Sequence, residues 1–286
     1  VWSEVELAWR TRVRRADGTY APWLAVTGTN GKTTTVGMLE AILRAAGLRT
    51  RAVGNVGTPV TEVVQDVSLD VLAVELSSFQ LHFTSSMAAR AAAVLNVAPD
   101  HLDWHGSLEE YARAKGRVYA GVEVACVYAV ADERTRRLVE DADVAEGARA
   151  VGVTLGAPGP GELGIIDGLL VDRSFHAPLD SFSRHDTAAE LGALDDLAHL
   201  AGPDGRLAPH VVTDALTAAA LARAHGVAAR AVRDGLREFA PGAHRIEVVA
   251  RVDDVVYVDD SKATNAHAAA ASLDAFAPGT VVWVAG

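Results

Sequence analysis

A glycine-rich turn followed by a lysine and two threonines is the part of this sequence best suited to chemistry. An apolar run ends at Val26, a helical pattern runs to about Ala46, and between them lies Gly28-Thr29-Asn30-Gly31-Lys32-Thr33-Thr34. Such glycines let the backbone turn tightly and present bare N–H groups, and the helix N-terminus adds about half a positive charge. In this cradle Lys32 would reach the terminal phosphates of a nucleotide, and a hydroxyl of Thr33 or Thr34 would hold Mg²⁺.

The turn departs from the commonest phosphate-binding pattern. That pattern has a glycine five residues before the Gly-Lys pair, where this chain has Val26. The alternative is an ordinary glycine turn that happens to precede a lysine. The strand before the turn and the helix after it favour the phosphate-binding loop.

Acidic residues and a histidine follow two further apolar runs. Glu75 ends VLAVE, and Asp100, His101 and Asp103 lie in NVAPDHLD. Ligands collect at the carboxyl ends of parallel strands, where Glu75 could bind Mg²⁺ through oxygen and His101 could ligate a metal or transfer a proton. Glu75 could equally cap the next turn, and His101 could make only a capping hydrogen bond.

Two lysines and one arginine are further candidates. Lys115 falls in a helical pattern, where a solvated surface charge is the usual role. Lys262 follows Asp260 at the start of another helix, which indicates either an anion site or a helix cap with an incidental lysine. Arg245 lies at a suspected domain junction, where it could reach a phosphate across a cleft or form a surface ion pair.

Composition excludes several classes of protein. The 286 residues carry a net charge of −11, which argues against a nucleic-acid-binding surface and favours a soluble cytoplasmic protein. The single cysteine, Cys126, lies in an apolar run and is expected to be a buried small hydrophobe. No apolar stretch approaches the roughly 20 residues of a membrane span, and no signal peptide is visible. Because the chain starts at Val1 and stops at Gly286, both ends look like cuts through a longer protein.

Short apolar runs alternate with helical patterns, which predicts an α/β fold with a mostly parallel sheet flanked by helices. Four strands are expected at 23–27, 71–76, 91–96 and 124–130. Four helices are expected at 33–46, 107–119, 211–225 and 228–239.

The second half of the chain is less regular. Residues 150–172 indicate a small antiparallel patch, and 174–209 indicate a long, partly mobile surface excursion. Runs at 246–252 and 255–258 flank Asp253-Asp254, a hairpin turn. A helix at 263–276 and a last strand at 280–285 would complete a strand–helix–strand unit that opens a second α/β domain.

Several of these segments together resemble the Mur ligase family, the ATP-dependent amide ligases of peptidoglycan precursor synthesis. The resemblance covers about residues 20–286, and ELSSFQL together with DDSKATN is typical of the branch that adds D-glutamate. It rests on GTNGKTT (28–34), GNVG (54–57), ELSSFQL (75–81), NVAPDHLDWHG (96–106), YARAK (111–115), HR (244–245) and DDSKATN (259–265).

This resemblance implies three divisions of the chain. Residues 1–20 would be a remnant of the N-terminal domain and a linker. Residues 21–242 would form the central ATP-binding domain. Residues 243–286 would begin a Rossmann-like C-terminal ligase domain, and this fragment alone would be inactive.

The resemblance also implies the ligands. ATP and two Mg²⁺ ions would be bound, UDP-N-acetylmuramoyl-L-alanine and D-glutamate would be the substrates, and the protein would act as a monomer. Lys115 would be carbamylated by CO₂, which would turn a cation into a metal ligand. The first Mg²⁺ would be held by Thr33 or Thr34 and Glu75, and the second with the help of His101.

Further site residues follow from the same resemblance. Asn55, Ser77 and Gln80 would contact the muramoyl-alanine substrate. Lys262 and Thr264 would contact D-glutamate. Arg245 and Asp260 would approach ATP from the C-terminal domain.

One segment departs from the family pattern. The family has His-Asn and a second Asn three residues on, whereas this chain has His210-Val211 and then Asp214. Asp214 can still accept a hydrogen bond from an adenine amino group, but it cannot donate one. Two other functions stay open: a folylpolyglutamate-type ligase, and a non-catalytic module that binds Mg·ATP.

Overall fold

The computed structural model describes residues 1–242 and 246–285, and it contains one large mixed sheet covered by helices on both faces. The nine strands of this sheet lie in the order β2-β3-β1-β4-β5-β6-β7-β8-β9, and a separate hairpin pairs β10 with β11. The strands are β1 Trp23–Thr27, β2 Thr50–Gly54, β3 Val71–Glu75, β4 Ala91–Val94, β5 Ala125–Ala129, β6 Arg149–Val153, β7 Glu162–Ile166, β8 Leu169–Asp172, β9 Ala189–Ala193, β10 Glu247–Val252 and β11 Val255–Asp259.

Ten α-helices lie within the described residues. They are α1 Glu4–Thr11, α2 Lys32–Ala45, α3 Val60–Val63, α4 Ser78–His82, α5 Leu102–His105, α6 Leu108–Gly116, α7 Glu133–Glu140, α8 Pro209–His225, α9 Ala229–Glu238 and α10 Ala266–Leu273. None of them is long and apolar enough to cross a lipid bilayer.

The central strand β1 separates two hydrophobic cores because alternate side chains of a strand point to opposite faces. Leu24 and Val26 belong to the core under α2, α8 and α9. Trp23 and Ala25 belong to the core on the other face, which Val5 of α1 and Tyr111 of α6 also enter. All five residues of β1 are buried, as expected for a parallel strand covered on both sides.

The sheet topology brings three loops together. Strands β3 and β4 pair with β1 on either side, and all three run parallel. The loops that follow β1, β3 and β4 therefore leave the same edge of the sheet, where open α/β sheets bind their ligands. This edge carries the phosphate-binding turn, Glu75 and the segment that starts at Asn96.

The predicted α/β class is confirmed, and the sheet is parallel from β2 to β7. The four expected strands and four expected helices are present within a few residues. The antiparallel patch is confirmed for β7 to β9, although β6 continues the parallel part of the sheet. The hairpin around Asp253-Asp254 is also confirmed.

Two expectations were wrong. The segment 174–209 is not only a surface excursion, because it contains the edge strand β9, whose Leu191 is fully buried. Residues 280–285 do not form a strand. Their apolar pattern suits a strand, but no described strand lies beside them to complete a ladder, and Val282 and Val284 remain about 90% exposed.

Candidate active site

The turn after β1 is held in a conformation that requires glycine at Gly31. Its φ is +87°, and it directly precedes the first residue of α2. A Cβ atom there would lie 2.5 Å from Oδ1 of Asp214, which is buried in α8. The helix that begins at Lys32 therefore directs its free N–H groups into the turn, which is the arrangement that binds phosphate.

Asn96, at the end of β4, fixes the shape of this turn. Its Oδ1 accepts from the backbone N–H groups of Thr29 and Asn30 at 3.1 and 2.9 Å. Its Nδ2 donates to the carbonyl oxygen of Asn30 at 3.1 Å. The hydroxyl of Thr29 also accepts from the N–H of Ala98. The segment after β4 thus holds the phosphate-binding loop by side chains as well as by sheet pairing.

Two lysines from distant parts of the chain meet at one carbonyl oxygen of the loop. Nζ of Lys32 donates to the carbonyl oxygens of Gly28 and Thr29 at 3.0 and 2.9 Å. Nζ of Lys115, from α6, donates to the same oxygen of Gly28 at 2.8 Å. Lys115 is only 1% exposed, and its ammonium group lies 4.4 Å from the ring centroid of Tyr111. Lys115 is therefore not the solvated surface charge that its helical position alone suggested.

Both lysines bind protons more weakly than an exposed lysine does. Burial lowers the pKa of Lys115 well below its usual value, and the nearby charge of Lys32 lowers it further. Burial also lowers the pKa of Lys32, against the attraction of Glu75 and Asp100. A buried cation beside another cation favours the neutral amine. At a given pH a larger fraction of Lys115 is consequently in the neutral amine form than for an exposed lysine.

Glu75 lies at the end of β3 and is 2% exposed. Its Oε1 accepts from Nδ2 of Asn55 at 3.0 Å, and its carbonyl oxygen accepts from the N–H of Asn55. Gly54 makes this approach feasible, because a Cβ atom there would lie 2.1 Å from the carbonyl oxygen of Glu75. The structure therefore brings together two predicted site residues, Glu75 and Asn55.

A cleft of about 190 Å³ opens beside the phosphate-binding loop. Its lining includes the polar residues Thr33, Thr34 and Glu75. Val56 and Phe239 line it on the apolar side. The two threonines and the carboxylate that were expected to share a metal ion thus face one cavity.

His101 lies at the edge of an aromatic group. It adopts a left-handed backbone conformation, with φ +52°, at the start of α5. Its Nε2 is 3.7 Å from a carboxylate oxygen of Asp100, and its side chain is half exposed. Its ring centroid lies 4.9 Å from Phe79 and 6.4 Å from Tyr111. Tyr111 in turn contacts Lys115, so His101 and Lys115 flank the same tyrosine ring.

Ser77 and Gln80 are engaged with each other in a helix cap. Oγ of Ser77 accepts from the N–H of Gln80, and Oε1 of Gln80 accepts from the N–H of Ser77, at the start of α4. The side-chain amide of Gln80 also donates to Glu4 of α1. Both residues have a clear structural role, and both lie just beyond Glu75 at the ligand-binding edge of the sheet.

The candidate residues after β11 lie on one loop. Asp260 accepts from the N–H of Ile246 at 3.2 Å, while Lys262 and Thr264 are exposed. Nδ2 of Asn265 donates to Oδ1 of Asn30 at 3.0 Å, which joins this loop to the phosphate-binding turn. Arg245 falls outside the described residues.

Residues 26–156 match the family model described as the Mur ligase middle domain. This segment of the chain is thus similar to the middle domain of Mur ligases. The UDP-N-acetylmuramoylalanine--D-glutamate ligase of Streptomyces avermitilis is 59% identical over 287 residues, which cover all of this chain and 58% of that protein. This chain therefore spans less than two thirds of that relative's length.

Solved structures share the fold at low sequence identity. MurF from Acinetobacter baumannii superposes with a TM-score of 0.62 at 19% identity, over 94% of this chain and 57% of that one. E. coli FolC in complex with ADP gives a TM-score of 0.56 at 19% identity, over 89% of this chain and 65% of that one. These two likenesses support the fold of this chain and nothing beyond the fold.

Within residues 1–242 and 246–285, no three His, Cys, Asp or Glu side chains are grouped closely enough to hold a metal ion by themselves. A Mg²⁺ site made of one carboxylate, one hydroxyl and nucleotide phosphates does not need such a group, because Mg²⁺ is usually held by one or two carboxylates and phosphate oxygens. The donors around the cleft fit that kind of site.

Three residues that matter to this site had no role of their own assigned from the sequence. Asn96 holds the loop, Gly54 permits the close approach to Glu75, and Asn265 reaches Asn30. A glycine before a conspicuous Asn-Val-Gly segment was a usable signal for Gly54. Asn96 and Asn265 stand in the quoted segments NVAPDHLDWHG and DDSKATN, but their partners could not be predicted because those are distant in sequence.

Proposed function

We propose that the protein containing this chain is an ATP-dependent amide ligase that adds D-glutamate to UDP-N-acetylmuramoyl-L-alanine. The convergence of Lys32 and Lys115 on the carbonyl oxygen of Gly28 carries this proposal. Nucleotide binding needs the first lysine, whereas a buried second lysine indicates chemistry beside the phosphate. The name of the 59% identical relative supports the choice of substrates.

The proposed reaction has two steps. The γ-phosphoryl group of ATP passes to the alanine carboxylate, which gives an acyl phosphate and ADP. The amine of D-glutamate then attacks the acyl carbon, and phosphate leaves. Phosphoryl transfer depends mainly on positioning and on neutralising charge. Lys32 and the N–H groups of residues 28–34 would hold the β- and γ-phosphates.

Two Mg²⁺ ions would neutralise the developing charge when bound. Glu75 and a hydroxyl of Thr33 or Thr34 face one cleft and would hold the first ion. His101 and Lys115 would hold the second. Lys115 as an amine is a poor partner for Mg²⁺, so this second site requires its modification.

Carbamylation would supply that change. The neutral amine of Lys115 would attack CO₂, form an N–C bond and lose a proton, leaving a carboxylate-like group. Only the neutral amine is nucleophilic, and the lowered pKa of Lys115 raises its fraction near neutral pH.

The remaining candidates have assigned roles in the same scheme. Asn55, Ser77 and Gln80 would contact the muramoyl-alanine substrate. Lys262 and Thr264 would bind D-glutamate.

Three further residues would bind ATP. Arg245 and Asp260 would approach it from the C-terminal segment. Asp214, whose carboxylate lies against Gly31, would accept from the adenine amino group.

The same proposal covers the domain organisation of the protein and its location in the cell. Residues 1–20 would be a remnant of an N-terminal domain with a linker, 21–242 the central ATP-binding domain and 243–286 the beginning of the C-terminal ligase domain. The whole protein would be a cytoplasmic monomer that acts in cell wall synthesis for growth and division. This chain alone would bind Mg·ATP without ligase turnover.

Phosphate release by the full-length protein tests the function. The assay would supply Mg·ATP, bicarbonate and the UDP-muramoyl-alanine precursor, with D-glutamate, L-lysine, diaminopimelate or no amino acid. We expect release only with D-glutamate, and none from the Lys32→Ala variant. Release that depends on another amino acid would overturn the substrate, and near-normal turnover by Lys32→Ala would overturn the mechanism.

Carbamylation has its own test. The Lys115→Ala variant should be inactive and should recover partly with short carboxylic acids, which would occupy the place of the carbamate. Wild-type protein in ¹³C-bicarbonate should show a carbamate carbon signal that the variant lacks. Full activity of Lys115→Ala without rescue would return Lys115 to a structural role.

A further inference from the structure

Three asparagines are joined by hydrogen bonds at the phosphate-binding loop. Asn96 holds the backbone of Asn30 from one side, by accepting from its N–H and donating to its carbonyl oxygen. Asn265 holds the side chain of Asn30 from the other side, by donating to its Oδ1 at 3.0 Å. Asn30 is therefore bound both to the end of β4 and to the start of α10, 235 residues away.

We propose that the hydrogen bond between Asn30 and Asn265 is a latch that holds the loop carrying Lys262 and Thr264 against the phosphate-binding turn. Asn96 acts as the positioning residue that presents Asn30 to this latch. A role of the latch in catalysis rests on the proposed function, because the latch would then bring the loop that binds D-glutamate to the phosphates of ATP. The existence of the latch does not depend on that function.

The two ends of the Asn265 amide have separate tasks. Its Oδ1 accepts from the N–H of Ala268 at 2.9 Å and so caps α10. Its Nδ2 donates to Asn30. Aspartate also caps helices well but has no hydrogen-bond donor, and serine has a single short hydroxyl for both tasks. Asparagine instead caps α10 with its Oδ1 and donates to Asn30 with a separate atom, Nδ2.

Other contacts place the same segment without reaching the loop. The imidazole of His210, at the start of α8, lies near the backbone of Ala271. Ala275 is 1% exposed, and its carbonyl oxygen lies close to Gly202. These contacts support α10 from the side of α8. The latch instead joins the start of α10 to the turn itself, so that a change in the turn alters the position of Lys262 and Thr264.

Hydrogen exchange of α10 in this 286-residue chain tests the latch without nucleotide. We would compare wild type, Asn30→Ala, Asn265→Ser and the double variant. Serine retains the cap, and Asn30→Ala leaves α10 untouched. A neutral hydrogen bond contributes roughly a fivefold change in an equilibrium constant. Each single variant should therefore speed exchange of α10 amides about fivefold, and the double variant should add nothing further.

Three results would overturn the proposal. They are unprotected α10 amides in the wild type, single variants that exchange like the wild type, or effects that add fully in the double variant. Asn265→Asp provides a second control, because it keeps the cap but places an acceptor opposite the acceptor of Asn30. It should speed exchange at least as much as Asn265→Ser, and wild-type exchange in Asn265→Asp would count against the latch.

Calorimetric titration with Mg·ATP separates the latch from the proposed function. If the hydrogen bond between Asn30 and Asn265 and the bound nucleotide stabilise the same conformation of the phosphate-binding loop, Asn265→Ser should weaken Mg·ATP binding severalfold. A wild-type chain that binds no Mg·ATP, with non-additive exchange effects intact, would refute the nucleotide site and leave the latch supported. Normal binding by Asn265→Ser with unchanged exchange would refute the latch and leave the nucleotide site supported.

Discussion

Replacing Lys115 with methionine should make the protein more stable near neutral pH. Methionine has nearly the same shape and no charge, whereas Lys115 is 1% exposed and close to Lys32. The carbonyl oxygen of Gly28 keeps Lys32 as a donor in the variant. The variant thus removes the cost of burying a cation without leaving that acceptor unpaired.

The pH dependence follows from the direction of the pKa shift. The folded protein holds the Lys115 proton less tightly than the unfolded chain, whose lysine pKa is about 10.4. Between these two pKa values the unfolded state binds one more proton, so the free energy of unfolding rises with pH by up to about 1.4 kcal/mol per pH unit. Above the unfolded pKa the slope disappears. The Lys115→Met variant lacks this pH-dependent contribution to the free energy of unfolding.

Urea unfolding at several pH values in CO₂-free buffer measures the effect. The stability advantage of Lys115→Met should be largest at neutral pH and should shrink as pH rises toward 10. Lys262→Met is the matched control, because Lys262 is exposed and its replacement should give no pH-dependent difference. An advantage of Lys115→Met that stays constant with pH would refute the buried-cation argument.

Three further predictions concern other parts of the molecule. Gly54→Ala should lower the free energy of unfolding, measured in urea, by about 1–3 kcal/mol more than Gly57→Ala does. Both glycines have positive φ, but only at Gly54 would an added Cβ lie 2.1 Å from a backbone oxygen, that of Glu75. Equal losses in the two variants would contradict this argument. Asn96→Ala should weaken Mg·ATP binding roughly tenfold in a calorimetric titration, because it removes the bonds that hold the loop; unchanged affinity would show that the loop keeps its shape without them. The pKa of Glu6 is about 2, because hydrogen bonds from Ser86 and Ser85 outweigh the effect of its burial. The contribution of Glu6 to stability is therefore lost as pH falls from 4.5 to about 2. The Glu6→Gln variant should lack this loss in acid unfolding, and an acid unfolding profile identical to that of the wild type would refute the prediction.

The phosphate-binding turn and its flanking elements could be predicted because their signals are local. Glycines, a lysine and threonines in one short segment define a helix start and a charge distribution without reference to the rest of the chain. The central strands were equally clear, since buried parallel strands are continuous apolar runs. Strand β2 was missed because its sequence, TRAVG, contains two polar residues and ends in a glycine.

The environment of Lys115 could not be predicted from spacing. The segment around it, LEEYARAKG, contains four charged residues besides small ones, and the burial of Lys115 depends on the approach of Gly28, 87 residues earlier. The same holds for Asp214, which the family resemblance placed near adenine and the structure places against Gly31. Contacts between distant segments depend on sheet order, which no local pattern contains.

The position of β1 in the middle of the sheet has a consequence for the order in which the protein matures. Strand β1 acquires its neighbours only when β3 and β4 exist, and α2 is covered only when α8 has formed. Chains are synthesised from the N-terminus, and pairing between distant strands is slow. The residues of the phosphate-binding turn are therefore synthesised early, but the contacts that surround the turn form late. A ribosome-bound chain that ends before α8 should leave the apolar face of α2 open to chaperones.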